Sequence, residues 1–274
     1  MRKYEIRFQR IFEQFIILTM ILCMASCSRK QERHEIIEPS FIHAGEIKTK
    51  KNIPQTHKEF LARFLPEIHK ANNNILFQRN RALDIRDSLE DEDYLSNANL
   101  TELNSLLSQY RLDPLPTDPQ PSAEKISASI EQLLIRADIV PVKLVMAQAI
   151  IESGWGSSKF AKDGNNYFGV HCYTEGCGVK PSGIDSATFY VKTYPNEMAG
   201  INDYLWILNT GYAYKELRKT RRELRKKGKA IDALSMARGL ESYSIKGEAY
   251  VKLVSNIIRN YIPHDTRSLL LGKP

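Results

Sequence analysis

The chain has 274 residues, 42% of them apolar, and a formal net charge of +7 from 39 Lys and Arg against 32 Asp and Glu. That composition is ordinary for a folded soluble protein and excludes a chain too polar to build a sizeable core. The positive balance favours anionic partners such as nucleic acid, anionic lipid or acidic wall polymers, without choosing among them.

Arg2, Lys3, Arg7 and Arg10 precede an apolar run over residues 15–25. This pattern matches the basic and hydrophobic regions of a secretory signal, and the run is too short for a membrane span. It ends in Met24-Ala25-Ser26-Cys27, which resembles the lipobox of bacterial lipoproteins with Met in place of the usual Leu. The resemblance implies a signal peptide over residues 1–27, acylation of Cys27 as the mature N-terminus, and a membrane-anchored place in the cell envelope, at the outer membrane facing the periplasm. An uncleaved anchor or a plain signal peptide stays open. Two cysteines, Cys172 and Cys177, then remain for the body of the chain. Zinc takes four ligands, and the histidines other than His171 are scattered, so one disulfide is expected and no metal site.

Residues 28–56 are polar, mixed in charge and without a sustained period, the pattern of a flexible tether. Residues 57–112 read as a helical N-terminal subdomain, with apolar positions such as Phe60, Phe64 and Ile68 recurring at helical spacing. The run Asn72-Asn73-Asn74 reads as a solvated turn or frayed helix rather than a ligand site. A proline-rich segment, residues 113–121, cannot continue a helix and marks a boundary. Residues 122–264 form the second expected unit. An amphipathic helix covers 122–137, and a second helix opens at Pro141 and stops at Gly154. Short β segments over 165–172 and 187–194 flank the cysteine turn, and helical spacing returns over 198–208, 230–240 and 248–261. The fold class is α+β, helix-dominated, with a small β-hairpin lobe.

Glu152 ends an otherwise apolar helix, one turn from Gln148. Desolvation beside Trp155 and the negative end of the helix dipole both disfavour its charged form and raise its pKa. A carboxyl kept protonated near neutrality suits the protonation of a leaving glycosidic oxygen. A helix-terminal Glu pointing into solvent is the alternative from spacing alone.

The surrounding run Glu152-Ser153-Gly154-Trp155-Gly156, followed by Asn165-Asn166-Tyr167-Phe168-Gly169-Val170, resembles the glucosaminidase family of peptidoglycan hydrolases. The Bax-type branch of that family adds a cysteine-clasped turn like residues 171–178, and the likeness covers about residues 57–264. It implies a lysozyme-like fold over residues 122–264, cleavage of the N-acetylglucosaminyl β-1,4 bond, and Glu152 as catalytic acid. Tyr243, in Glu241-Ser242-Tyr243-Ser244, matches the family's second catalytic position, although the Asp of the family pattern is absent after it. Trp155, Asn166 and Tyr190 are candidates to bind substrate, and Asn166 can instead form an Asx-turn. The second catalytic group stays open among Glu175, Asp185 and assistance by the substrate's N-acetyl group. No cofactor is implied. The expected partners are peptidoglycan glycan strands and a membrane reached through the lipid anchor. The basic run over residues 215–229 reads as a solvated helix face or a weak contact with envelope polymers, not as a nucleic-acid site. A muramidase, a lytic transglycosylase and a non-catalytic wall-binding lipoprotein remain alternative readings.

Overall fold

The computed structural model describes residues 44–181 and 187–266, all within one unit over residues 36–274. Residues 1–43 lie outside the described residues, and so do Cys27 and the signal-like run. A 3-10 turn at Ala44–Glu46 leads into a long helix, α1 (Gln55–Glu92), followed by α2 (Asn97–Gln109), α3 (Ala123–Arg136), α4 (Val142–Ser153) and α5 (Lys159–Gly164). Three short strands come next, β1 (His171–Cys172), β2 (Gly178–Val179) and β3 (Tyr190–Lys192). The chain closes with α6 (Glu197–Thr210), α7 (Lys215–Lys226), α8 (Ala233–Ala237), a 3-10 helix at Arg238–Tyr243, and α9 (Glu248–Tyr261).

Local chemistry explains most of the boundaries. Ser96, Ser158 and Asn196 cap α2, α5 and α6 by accepting the N–H of Asn99, Ala161 and Ala199. Gly154 closes α4 in the left-handed conformation, with its N–H on the Ile150 carbonyl. Pro66 sits inside α1 and removes one helical donor. The 38-residue length of α1 and its buried stripe of Phe60, Phe64 and Ile68 keep it helical regardless.

The sheet has three strands, not the two of a hairpin, in the order β1-β3-β2. Val191 on β3 faces His171 on one side and Val179 on the other, both antiparallel. The Cys172–Cys177 disulfide, with Cα atoms 6.2 Å apart, folds the chain so that both flanks of its turn pair with β3. Residues 165–170, expected as strand, form a turn instead. Asn165 is left-handed at φ 52°, and the Asn166 side chain takes up backbone groups that a ladder would have used.

The core divides into two clusters, and α1 runs through both. Its first half packs with α4, α6, α8 and α9. Its second half packs with α2 and α3, where Ile126, Ile130 and Leu133 at helical spacing meet Leu83 and Leu103. The proline-rich boundary therefore does not separate the cores, because α3 lies beyond it and is buried with the N-terminal helices. Part of the span expected as a tether, residues 28–56, is packed. Ile47 and Ile53 are 1% and 6% exposed and belong to the first cluster.

Asp138, between α3 and α4, ties these parts together. It is 2% exposed and ion-paired with Arg79 of α1 at 3.7 Å and with Arg221 and Arg225 of α7, Arg221 at 3.7 Å. Burial alone would push its carboxyl up, but the three guanidiniums hold it far below the usual carboxylate range. The surplus positive charge is spread over carbonyls: Arg221 reaches those of Ile135, Asp138 and Ile139, and Arg79 those of Leu134 and Ala137. Asp138→Asn removes the carboxylate shared by the buried Arg79 and Arg221 and the partly buried Arg225. It is expected to lower unfolding free energy by roughly 3–5 kcal/mol, measured by urea denaturation at neutral pH. Because the folded pKa is depressed, this stabilisation is present above the unfolded value near pH ~3.9 and is lost as pH falls towards the folded one. The Asn variant lacks that part of the acid dependence. Equal acid sensitivity in both proteins would remove Asp138 from this role.

Candidate active site

In α4 every residue from Leu144 to Ile150 is buried, and Gln148 is the only polar side chain among them. An apolar helix buried all round needs a reason to carry an amide, because an unpaired one costs free energy. The partners of Gln148 supply it. Its Oε1 accepts from Tyr204 on α6, and its Nε2 donates at 3.1 Å to the hydroxyl of Tyr250 on α9. Tyr250 in turn donates to Glu152 Oε1 at 2.7 Å. Glu152 is one turn beyond Gln148 on the same face, so the relay Tyr204–Gln148–Tyr250–Glu152 begins in the core and ends at the surface.

Glu152 is solvent-exposed, yet its pKa is raised. Desolvation by the surrounding protein is the main cause, while the Tyr250 hydrogen bond and the nearby Lys246 charge pull the other way. The apolar surroundings are tyrosines and phenylalanine. Tyr250 stacks on Tyr243 with ring centroids 5.4 Å apart, Tyr243 meets Tyr204 edge-on at 6.4 Å, and Tyr204 stacks on Phe168 at 3.8 Å.

Trp155, a candidate to bind substrate, is partly buried. Its ring stacks on His57 at the start of α1, with centroids 4.0 Å apart and planes 3° from parallel, and lies edge-on to Phe60 and Tyr261. It locks the end of α4 to α1. The backbone follows suit: Gly154, Trp155 and Gly156 have φ of 56°, 60° and 73°. At Gly156 a Cβ would also lie 3.0 Å from the Phe60 ring, so the turn requires glycine there. Ser153 holds the turn from inside, donating to the Ala149 carbonyl and accepting the Gly156 N–H at 2.7 Å.

Tyr243 reaches the site but does not bond to Glu152. Its hydroxyl donates to the Phe168 carbonyl at 2.8 Å, pinning the Asn-Tyr-Phe-Gly turn beneath the stacked Tyr250 ring. Asn166 is 2% exposed, and its amide is spent on Val170 and Lys192 carbonyls and on the N–H groups of Phe168 and Val170. It is an Asx-turn residue, with nothing left to offer a substrate. Tyr190 lies on β3 opposite Cys172, with Lys180 over its ring at 5.9 Å. Glu175 is exposed on the disulfide turn, and Asp185 falls outside the described residues. Tyr250, Gln148 and Tyr204 were not singled out by sequence as site residues. The lone amide in an apolar helix, one turn before Glu152, was the signal for them. Among the described residues no group of three His, Cys, Asp or Glu could hold a metal ion.

Residues 127–262 match the family model "Glucosaminidase: Mannosyl-glycoprotein endo-beta-N-acetylglucosaminidase". The chain is 30% identical over 193 residues to "Protein bax" of Escherichia coli (strain K12), an alignment that covers 70% of this chain and 65% of that relative. No solved structure matches the chain. The helix-dominated α+β architecture is that of the lysozyme-like glucosaminidase domain, and the chain belongs to the glucosaminidase family, in its Bax-type branch.

Proposed function

We propose that this chain is a glycoside hydrolase that cuts the N-acetylglucosaminyl β-1,4 bond of peptidoglycan, with Glu152 as general acid. The observation that carries the reading is the Glu152 carboxyl, reachable from solvent, raised in pKa and held by Tyr250. A general acid must hold its proton near neutrality and release it to the leaving oxygen. As Glu152 gives up that proton, Tyr250 donates to the new carboxylate and Lys246 supplies nearby positive charge. The family description, an endo-β-N-acetylglucosaminidase, supports the choice of bond.

For the second group we propose the substrate itself. The acetamido oxygen closes on the anomeric carbon as the glycosidic C–O bond breaks, and Glu152, now a carboxylate, takes a proton from the water that reopens the ring. Tyr243 is then a positioning residue, acting through Tyr250 and the Phe168 turn. The sequence of residues 1–27 supports an envelope location with Cys27 as the lipid-bearing N-terminus.

Glu152→Gln keeps the shape but has no proton to give. It is expected to lower wall hydrolysis about 10²-fold or more. Its melting temperature should stay level or rise, since the amide relieves a desolvated carboxyl. Digestion of purified peptidoglycan identifies the bond: reducing N-acetylglucosamine ends are expected. Reducing N-acetylmuramic acid or anhydro-muramyl ends would overturn the choice of bond, and no new ends at all would overturn hydrolysis.

The hydrogen bond to Tyr250 has a sign that kinetics can read. Activity needs protonated Glu152, so kcat/KM falls as pH rises through its folded pKa. Tyr250→Phe removes a donor that favours the carboxylate, so that alkaline limb should move to higher pH while the rate falls roughly tenfold. A limb that stays in place would show that Tyr250 does not hold Glu152 in the working enzyme.

A further inference from the structure

Helices α1, α2 and α6 enclose a cavity of about 220 Å³ that does not include Glu152. Five carboxamides line it, Asn74 and Gln78 of α1, Gln109 of α2 and Asn202 and Asn209 of α6, around the rings of Trp206 and Tyr110, and of these Asn209 is already bonded to the Asp138 carbonyl and to Arg221. In a chain that is 26% charged, no charged side chain lines this cavity. The asparagine run read from sequence as a frayed turn lies inside α1, and it divides its labour. Asn72 is buried and pairs with both the N–H and the carbonyl of Val140, just before α4. Asn74, two residues on, is exposed at the cavity.

The walls are held by the protein's own bonds. Trp206 Nε1 donates to the Gln109 carbonyl at 2.7 Å, Tyr110 donates to Gln78 Oε1 at 2.6 Å, and the Arg111 guanidinium lies 3.9 Å from the Trp206 ring centroid. Among the described residues the side-chain amides of Asn74, Gln109 and Asn202 make no hydrogen bond to protein, and Gln78 keeps both Nε2 hydrogens. The cavity thus offers a rigid aromatic wall, with the Arg111 guanidinium on the Trp206 ring, and an uncharged lining with several donors and acceptors. A complementary ligand is neutral, has an apolar face, and presents donor and acceptor side by side, as an acetamido group does. The volume suits one sugar ring and is below the roughly 300–1,000 Å³ of pockets for drug-sized ligands.

We infer that this cavity is a second glycan site, which takes one N-acetylated amino-sugar residue of a chain. The inference rests on the reading of the protein as an enzyme of such glycans. Its position follows from how α1 lies against α4: His57 of α1 stacks on Trp155 past one end of α4, and Asn72 bonds Val140 at the other. The cavity lies one turn past Asn72, so α4 separates it from Glu152 by about 15 Å, the length of ten helical residues. A glycan bound there is held away from the bond being cut.

The chain has two tryptophans, Trp155 and Trp206, so emission can report the site. The full-length Glu152→Gln protein, which does not turn over its ligand, is titrated with the trisaccharide of N-acetylglucosamine. A saturable change in emission is expected, and none with the corresponding glucose trisaccharide. Trp206→Phe in the same background should abolish the change. Asn202→Tyr and Asn74→Tyr, which fill the cavity from two exposed positions on different helices, should each weaken binding at least about tenfold with unaltered melting. An unchanged curve in the filled variants, a signal that survives Trp206→Phe, an equal response to the glucose trisaccharide, or no response at all would each overturn the inference. Failure of the unmodified enzyme to cut peptidoglycan would instead sink the proposed activity, and would leave this binding curve where it is.

Discussion

The buried carboxylate of Asp138 is the point on which the arrangement of helices depends. Three arginines from two elements far apart in sequence converge on it, and two of them, Arg79 and Arg221, also bind carbonyls at the end of α3 or near Asp138 itself. A lone buried charge would be expelled or neutralised. Here one anion is shared by several cations, two of which also donate to backbone carbonyls. The consequence for the site is mechanical. Asp138 lies four residues before α4, and Asn72 of α1 fixes Val140 by both of its backbone groups. The start of α4 is therefore fixed against α1 and α7 before the helix begins. Trp155 on His57 fixes the other end.

A helix clamped at both ends can present Glu152 without burying it. The raised pKa and the exposure of Glu152 are reconciled by what lies behind the carboxyl rather than over it. Tyr250, Tyr243 and Tyr204 form an aromatic floor that removes part of the hydration shell, and the phenol of Tyr250 returns a single hydrogen bond. The opposing contributions matter. Desolvation favours the protonated form, while Tyr250 and Lys246 favour the ionised one, so each protonation state of the carboxyl has support.

The short motif around Glu152 was legible because it is local. Gly154 as the end of α4, the need for glycine in the turn, and the cysteine clasp all depend on residues within a few positions of one another. The buried network was not legible, because Asp138 finds its partners at positions 79, 221 and 225, and no periodicity links them. The same limit hid the contact of Trp155 with His57 of α1 and that of Tyr250, which lies 98 positions from Glu152 and is bonded to it. Ile47 and Ile53 were hidden by their polar neighbours, since two isolated apolar residues carry no period, although both are core.

Charge shows how composition and structure can part. The run over residues 215–229 holds nine basic residues and two acidic ones, an excess equal to that of the whole chain, so the remainder is balanced. Read as a run, it is a uniform basic face. In the structure it is two faces with different work. Arg218 and Arg221 are buried with Leu217, Arg218 bonding the carbonyls of Leu208 and Gly211 and Arg221 those around Asp138, while Arg225 pairs with Asp138. Lys215, Lys219, Arg222 and Lys226, spaced four, three and four apart, stay in solvent. The buried positions are arginine in each case, and the reason is geometric. A guanidinium sends several donors in fixed directions and can meet carbonyls from two segments at once, whereas an ammonium has three donors on one atom. On the exposed face, where water meets every donor, lysine and arginine both occur.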